Sequence, residues 1–253
     1  MQRLLNIEKR PKINGDKMNW YEELDFEEDP FDTNPKKVAD KLVGMDELLE
    51  EVFYRVAAGS MLFIEGKLGS GKSSILWNVI KKYQGKGKLI YFDCEQIEKD
   101  LNIENLMINK YGLLGRLLKK KPRDMILLLD NVSTLSKKNT ERVKYFFDQG
   151  YILSVVFTGS NYSKLNFSKS LKERIGTRIL KTKELEPYEA VALVRNRVGE
   201  LDIISDDVIE HIFKNSNKNP LKLLQNLDKI FSYAIENNEK KITMQIAKKV
   251  VGG

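Results

Sequence analysis

The run Gly66-Lys67-Leu68-Gly69-Ser70-Gly71-Lys72-Ser73 limits this chain more than any other stretch. It follows the apolar run Met61 to Glu65 and opens the amphipathic run that begins Ser74-Ile75-Leu76, so it reads as a turn from a buried strand into a helix. Glycines at 66, 69 and 71 let the backbone curl around a phosphate chain with its N–H groups pointing inward, at a helix N-terminus that favours negative charge. Lys72 is placed to neutralise the β and γ phosphates and Ser73 to ligand Mg²⁺, with Ser74 continuing the first turn. The bound groups expected are ATP or ADP and Mg²⁺.

Alternating elements surround that turn. Apolar runs at 61–66, 88–95, 125–132, 152–160 and 178–185 read as strands without polar alternation, separated by segments with helical spacing: 46–59, 73–83, 102–120, 140–147 and 167–176. Strands without a solvent face, separated by helices, predict an α/β fold: an αβα sandwich around a parallel five-stranded sheet. After Pro187 the β signal stops and the pattern is helical to the end, with Ser205 and Thr243 as expected N-caps. The expected organisation is an acidic, aromatic arm over 1–30, a nucleotide-binding core over 31–185 and a small helical lid over 186–253. The arm, with Trp20 to Asp32 reading WYEELDFEEDPFD, is either a solvated tail whose aromatic residues pack on the main domain or a docking segment for a partner or subunit.

Composition narrows the chemistry. The chain has 253 residues with one cysteine, Cys94, and one histidine, His211, which excludes disulfide frameworks, zinc clusters and Cys/His nucleophilic pairs. No apolar run approaches the ~18 residues of a membrane helix, and the first residues lack the apolar block of a signal peptide, so a cytoplasmic protein with no membrane partner is expected. A formal net charge of +7 permits nucleic-acid binding of a non-specific kind, with Lys119, Lys120, Lys121 and Arg123 as the contributors expected.

The remaining site residues follow from the loop. A Mg²⁺ shell needs a second anion at the end of a neighbouring buried strand, and Asp130 ends the run Met125 to Leu129. The next residue, Asn131, is a neutral amide that can hydrogen-bond a water but cannot take its proton; Asp93 and Glu95, after another strand, are the carboxylates that could reach it instead. Thr158, Ser160 and Asn161 lie at the end of the run at 152–160, where a sheet edge would meet the γ-phosphate. Arg174 and Arg178 precede the last strand and are either surface residues or donors to a neighbouring subunit's γ-phosphate.

On these residues the chain resembles the AAA+ ATPases, and within them the archaeal origin-recognition initiator-like ATPases and the related transposition and secretion ATP-binding proteins. The resemblance runs from about Phe31 to Val250. It implies that Leu42 to Leu48, with Val43, lies by the adenine; that Gly66–Ser73 and Leu127–Asn131 are the Walker A and B motifs; and that Asn161 is the first sensor. Thr177-Arg178 looks like the arginine-finger box, with Arg174 the alternative, and Pro187-Tyr188 looks like the entry to the lid. Two departures are visible: Asn131 stands where glutamate is usual, and Asn219-Pro220 is followed by Leu221, leaving only Lys222 to replace the second sensor's arginine. The family's initiators carry a winged-helix DNA-binding domain after the lid, which this sequence, ending at Gly253, does not include; sequence-specific duplex recognition is therefore not expected.

The reading that results is an ATP-binding switch, a slow or partner-stimulated ATPase in DNA replication, repair or a mobile element, that assembles with itself or a partner AAA+ protein. The alternatives are a non-hydrolysing module that uses ATP as a structural ligand and a P-loop small-molecule kinase.

Overall fold

The computed structural model describes residues 19–84, 89–96, 101–110 and 123–252. The apolar runs form five strands, β1 (Met61–Glu65), β2 (Leu89–Asp93), β3 (Met125–Asp130), β4 (Ile152–Gly159) and β5 (Ile179–Lys181). They pair in parallel in the order β2-β3-β4-β1-β5, as an unbroken apolar pattern demands of strands covered on both faces. The helices in chain order are α1 (Trp20–Glu23), α2 (Pro35–Val38), α3 (Asp46–Ala57), α4 (Lys72–Tyr83), α5 (Ile103–Lys110), α6 (Lys137–Asp148), α7 (Lys169–Ile175), α8 (Pro187–Val198), α9 (Asp206–Asn215), α10 (Pro220–Glu236) and α11 (Met244–Val251). Part of the helical run expected over 102–120 lies outside the described residues, as do Lys119, Lys120 and Lys121. Arg123 is exposed just before β3.

Because side chains alternate along a strand, the sheet has two cores. Leu62, Ile64, Ile126, Leu128 and Val156 face α3 and α4, where Val52, Val56, Ile75, Leu76 and Val79 cover them. Phe63, Leu127, Leu129, Val155 and Phe157 face α5, α6 and α7. Register then carries the first face to the ends of the strands: Asp93 pairs with Asp130, and Ile64 with Thr158. On the α4 side the rows of β2, β3 and β4 therefore end in the polar side chains of Asp93, Asp130 and Thr158 at the same edge of the sheet, beside Ile64 of β1.

Helices α8 to α11 form a bundle around Leu193, Ile212, Phe213, Leu227, Ile230 and Phe231. The segment expected as an arm adds to that core. Trp20 and Phe31 are buried in it, with the Trp20 ring 5.4 Å from Phe31 and 5.1 Å from Phe231, and the indole Nε1 donates to Asp228 Oδ1 at 2.7 Å. Its acids Glu22, Glu23, Glu27 and Glu28 stay exposed. Arg197 of α8 fastens the same segment by donating to the Pro30 carbonyl at 3.2 Å and the Asp32 carbonyl at 2.8 Å. The chain then leaves the bundle and reaches the sheet side, where Asn78 Nδ2 of α4 donates to the Ala39 carbonyl at 2.5 Å.

The expected caps separate. Thr243 Oγ1 accepts from the Ile246 amide at 3.4 Å. Ser205 sits at the N-cap of α9 as expected, with extended backbone, but its side chain makes no capping bond.

Candidate nucleotide site

The glycine-rich loop leaves β1 and ends at Gly71, whose φ of +88° places it in the left-handed region as the N-cap of α4. Gly69 also has positive φ, +78°, conformations that side-chain-bearing residues adopt only with strain. Lys72 is 7% exposed, and its Nζ donates across the neck of the loop to the carbonyls of Gly66 at 2.7 Å and Lys67 at 2.8 Å. Burial lowers its pKa, and the negative charges of Asp130 and Glu95 draw it back up. Ser73 and Ser74 are half-buried in the first turn of α4. Ser70 Oγ is buried and has no hydrogen-bond partner among the described residues. Outside the loop Lys67 pairs with Glu184, and Leu68 is exposed at the tip.

Asp130, 1% exposed, closes the other side. Its Oδ1 accepts from Thr158 Oγ1 and from the Asn131 amide at 3.1 Å, and its Oδ2 accepts from Tyr91 O–H at 3.1 Å. A buried carboxylate is tolerated when donors surround it in this way. Burial, and then the nearby Asp130 charge, push the Tyr91 phenol well above its usual range, so it remains a donor. Asn131 has φ +52°, a conformation that asparagine tolerates better than most residues. Its Nδ2 donates to Asp93 Oδ1 at 3.2 Å, and the Glu95 amide donates to the same oxygen at 3.1 Å.

The other sequence candidates divide. The loop, Asp130 and Asn131 converge. Asn161 stands two residues beyond β4, and its Oδ1 caps a 3₁₀ turn by accepting from Ser163 Oγ at 2.7 Å and the Lys164 amide at 3.3 Å. Arg178 lies at the far end of the sheet: its Nε donates at 2.9 Å to the carbonyl of Met61, the first residue of β1, whereas the loop follows the last. A strand of that length spans about 16 Å, so Arg178 is remote from its own loop. It also bonds the Arg174 carbonyl, and Arg174 pairs with Asp148. Val43 packs against the bundle, and Tyr188 is 68% exposed on α8.

Lys222 is exposed in the first turn of α10, and its amide donates to Asn219 Oδ1 at 3.0 Å. The bundle meets the loop through Asn219 and Leu221 instead. Asn219 Nδ2 donates to the Leu68 carbonyl at 2.7 Å, and a Cβ on Gly69 would lie 2.6 Å from Leu221 Cβ. A cavity of about 290 Å³ lies at this junction, lined by Gly66, Ser70, Ser160, Thr182, Asn219 and Pro220 among others. Tyr91 is a contact that sequence did not assign, and the partners of Thr158, Asn219 and Leu221, residues that sequence had singled out, came only from the structure.

A parallel sheet in this order, with a phosphate-loop geometry after β1 and a buried aspartate at the end of β3, defines a P-loop ATPase. Residues 58–189 match the AAA domain family, and the chain belongs to the AAA+ ATPases. No curated protein sequence matches it. Among solved structures it is similar to the Aeropyrum pernix ORC1 protein in complex with DNA, at 15% identity and a TM-score of 0.66, covering 83% of this chain and 65% of that one. It is also similar to Cdc6p from Pyrobaculum aerophilum, at 15% identity and TM-score 0.64, covering 83% and 68% respectively. Domain III of the replication initiation protein DnaA from Thermotoga maritima aligns at 20% identity and TM-score 0.62, covering 86% of this chain and 96% of that one. These likenesses establish the shared fold. Among the described residues no helix is long and apolar enough to cross a membrane.

Proposed function

We propose that this protein is a Mg·ATP-dependent switch with slow hydrolysis, built from an arm over 1–30, a core over 31–185 and a helical lid over 186–253, with Trp20 of the arm anchoring the lid. The observation that carries the reading is the junction of loop and bundle: buried Lys72 lies inside a loop whose tip is held by Asn219 and Leu221 of the bundle. A ligand that fills the loop therefore meets both bodies and can bias how they sit, as a switch requires.

The donor set fits Mg·ATP. Positive-φ glycines at 69 and 71, the unpartnered Ser70 hydroxyl and Lys72 suit a phosphate chain, while the Ser73 hydroxyl and Asp130 carboxylate are oxygen donors of the kind Mg²⁺ takes. Mg²⁺ would supply charge neutralisation between the phosphates. Lys72 would bind them, Thr158 and Tyr91 hold the Asp130 carboxylate in place, and Asn131, a neutral amide, cannot itself take a proton from water, which slows hydrolysis relative to glutamate at that position. Asn161 reads the γ-phosphate in this proposal, Val43 and Tyr188 flank the base, and Lys222 contributes charge from the lid. Arg178, or Arg174 in its place, serves a neighbouring protomer's site, since neither can serve its own.

The cellular role that suits the fold is cytoplasmic, in DNA replication, repair or a mobile element, with self-assembly or a partner AAA+ protein. Two of the similar structures are described as bound to DNA; here non-specific contact by basic residues is the corresponding proposal. The test is equilibrium binding of a fluorescent ATP analogue with Mg²⁺: Lys72→Ala should abolish micromolar binding, and undiminished affinity would sink the assignment.

A further inference from the structure

With Asn131 next in the chain, β3 offers only Asp130, the residue suited to the metal, and a second carboxylate comes from the neighbouring strand. Asp93 ends β2 in register with Asp130, on the sheet face that packs against α4, the helix carrying Lys72. Tyr91, two residues earlier on the same face, reaches Asp130 itself, which shows that side chains from this end of β2 and β3 meet. The Asp93 carboxylate is also held: Asn131 Nδ2 and the Glu95 amide both donate to its Oδ1, at 3.2 and 3.1 Å. The 3₁₀ turn that supplies the Glu95 amide is itself fixed, because Thr134 Oγ1 donates to the Cys94 carbonyl at 2.8 Å.

We infer that Asp93 is the catalytic carboxylate of this ATPase, carried by the neighbouring strand, and that Asn131 is the positioning residue that holds it toward the site. The inference rests on the ATP-site reading above. A water oxygen attacks the γ-phosphorus and one of its protons passes to the Asp93 carboxylate. The bond from the γ-phosphorus to the β–γ bridging oxygen breaks, and ADP leaves with the electron pair. Asn131 thus has a use that glutamate at the same position would not have: an amide N–H₂ can donate to a carboxylate, whereas two carboxylates side by side would repel. Glu95 supplies its backbone amide to the arrangement, while its side chain is exposed.

The experiment measures three quantities on the full chain: phosphate release from ATP, equilibrium affinity for a fluorescent ATP analogue, and affinity for ADP with aluminium fluoride, which mimics the phosphoryl group in flight. Asp93→Asn should lower turnover by about 10²-fold or more while ATP affinity stays within about threefold. The preference for ADP with aluminium fluoride over ADP alone should fall about tenfold, since only the transition-state mimic engages the group. Adding Asn131→Ala to Asp93→Asn should cost little more, because the two act as a unit. Asn131→Glu in the Asp93→Asn background should restore turnover by returning a carboxylate to the usual strand.

Wild-type turnover in Asp93→Asn overturns the inference, as does an unchanged aluminium fluoride preference without rescue by Asn131→Glu. If Asp93→Asn fails to fold, Asp93→Glu and Asn131→Ala decide. The first should keep most turnover and the second should lose about tenfold, and the reverse order overturns the inference. Wild-type protein that binds ATP and releases no phosphate overturns it too, yet leaves the ATP-site reading standing. Failure of Lys72→Ala to weaken ATP binding brings down that reading instead.

Discussion

Thr158 is the residue on which the buried aspartate depends most directly. Its hydroxyl donates to Asp130 Oδ1 and accepts from the Asn131 amide at 3.1 Å, and the residue is fully buried. Thr158→Val keeps the volume and removes the hydroxyl. Asp130 then retains the Asn131 amide and Tyr91 but loses a donor to a charged group in a place that water does not reach. Hydrogen bonds to charged groups contribute about 1.5–3 kcal/mol, and the orphaned acceptor keeps the loss near the middle of that range, about 2 kcal/mol. For a protein of this size about 2 kcal/mol corresponds to a fall in Tm of roughly 4–8 °C. Thr158→Ser keeps the hydroxyl and removes one methyl, which costs about 1 kcal/mol. Urea titration followed by far-ultraviolet circular dichroism should therefore give midpoints in the order wild type, Thr158→Ser, Thr158→Val, with the slope unchanged. If Thr158→Val is as stable as wild type, or if Thr158→Ser is the worse of the pair, packing rather than the hydroxyl holds this end of the sheet and the argument fails.

Arg178→Ala should leave ATP affinity of the monomer unchanged and reduce ATP-dependent assembly seen by light scattering; mixing it with Lys72→Ala should recover part of the activity, and no recovery from folded variants counts against a trans role. Cys94 is buried and its thiol is pushed up to about 12, by burial first and then by Asp93 and Asp130, so a disulfide reagent at pH 8 should label it only after unfolding. Prompt labelling of the native protein would contradict the burial. The Lys183 ammonium, donating to Glu189 Oε1 at 2.8 Å, holds that carboxyl below its ordinary 4.5. The unfolded chain binds the proton first, so this stabilisation is present above that pH and fades as pH falls through the lower folded value; Glu189→Gln should flatten the acid limb of a stability profile, and an unchanged limb would show that the pair does not matter. DNA binding, if the charge is used that way, should be weak and steeply salt-dependent, and tight binding at high salt would refute it.

The sheet was legible because its inner strands β1, β3 and β4 are buried on both faces and so carry no polar alternation, and the loop because its glycines and Lys72 leave few other meanings. Asp130 followed from its place at the end of such a run. Contacts between segments distant in sequence were less visible. That Asn131 bonds Asp93 depends on β2 pairing with β3 in one register, which neither segment states alone. The meeting of Asn219 and Leu221 with the loop spans some 150 residues of chain. Packing by Trp20 and Phe31 was one of two readings left open by the acids between them, and only the structure shows that the surface they join is the bundle. Ser205 was legible as the position where α9 starts, while whether its hydroxyl closes a capping bond depends on a rotamer that sequence does not state.

The bundle's anchoring by Trp20 also sets how it can move. From Trp20 onward the described chain leaves the bundle, passes through the sheet and returns, so among the described residues two crossings join the bodies, one along Asp32 to Leu42 and one after β5. They run side by side where Gly44 lies against the Glu189 carboxylate and Lys183 pairs with it. A body on a single tether swivels freely, whereas one on two adjacent tethers turns about the line through them, like a door on its hinges. In the switch proposed above, the Asn219 bond to Leu68 is then the latch, and a ligand in the loop would work the latch without having to twist the frame.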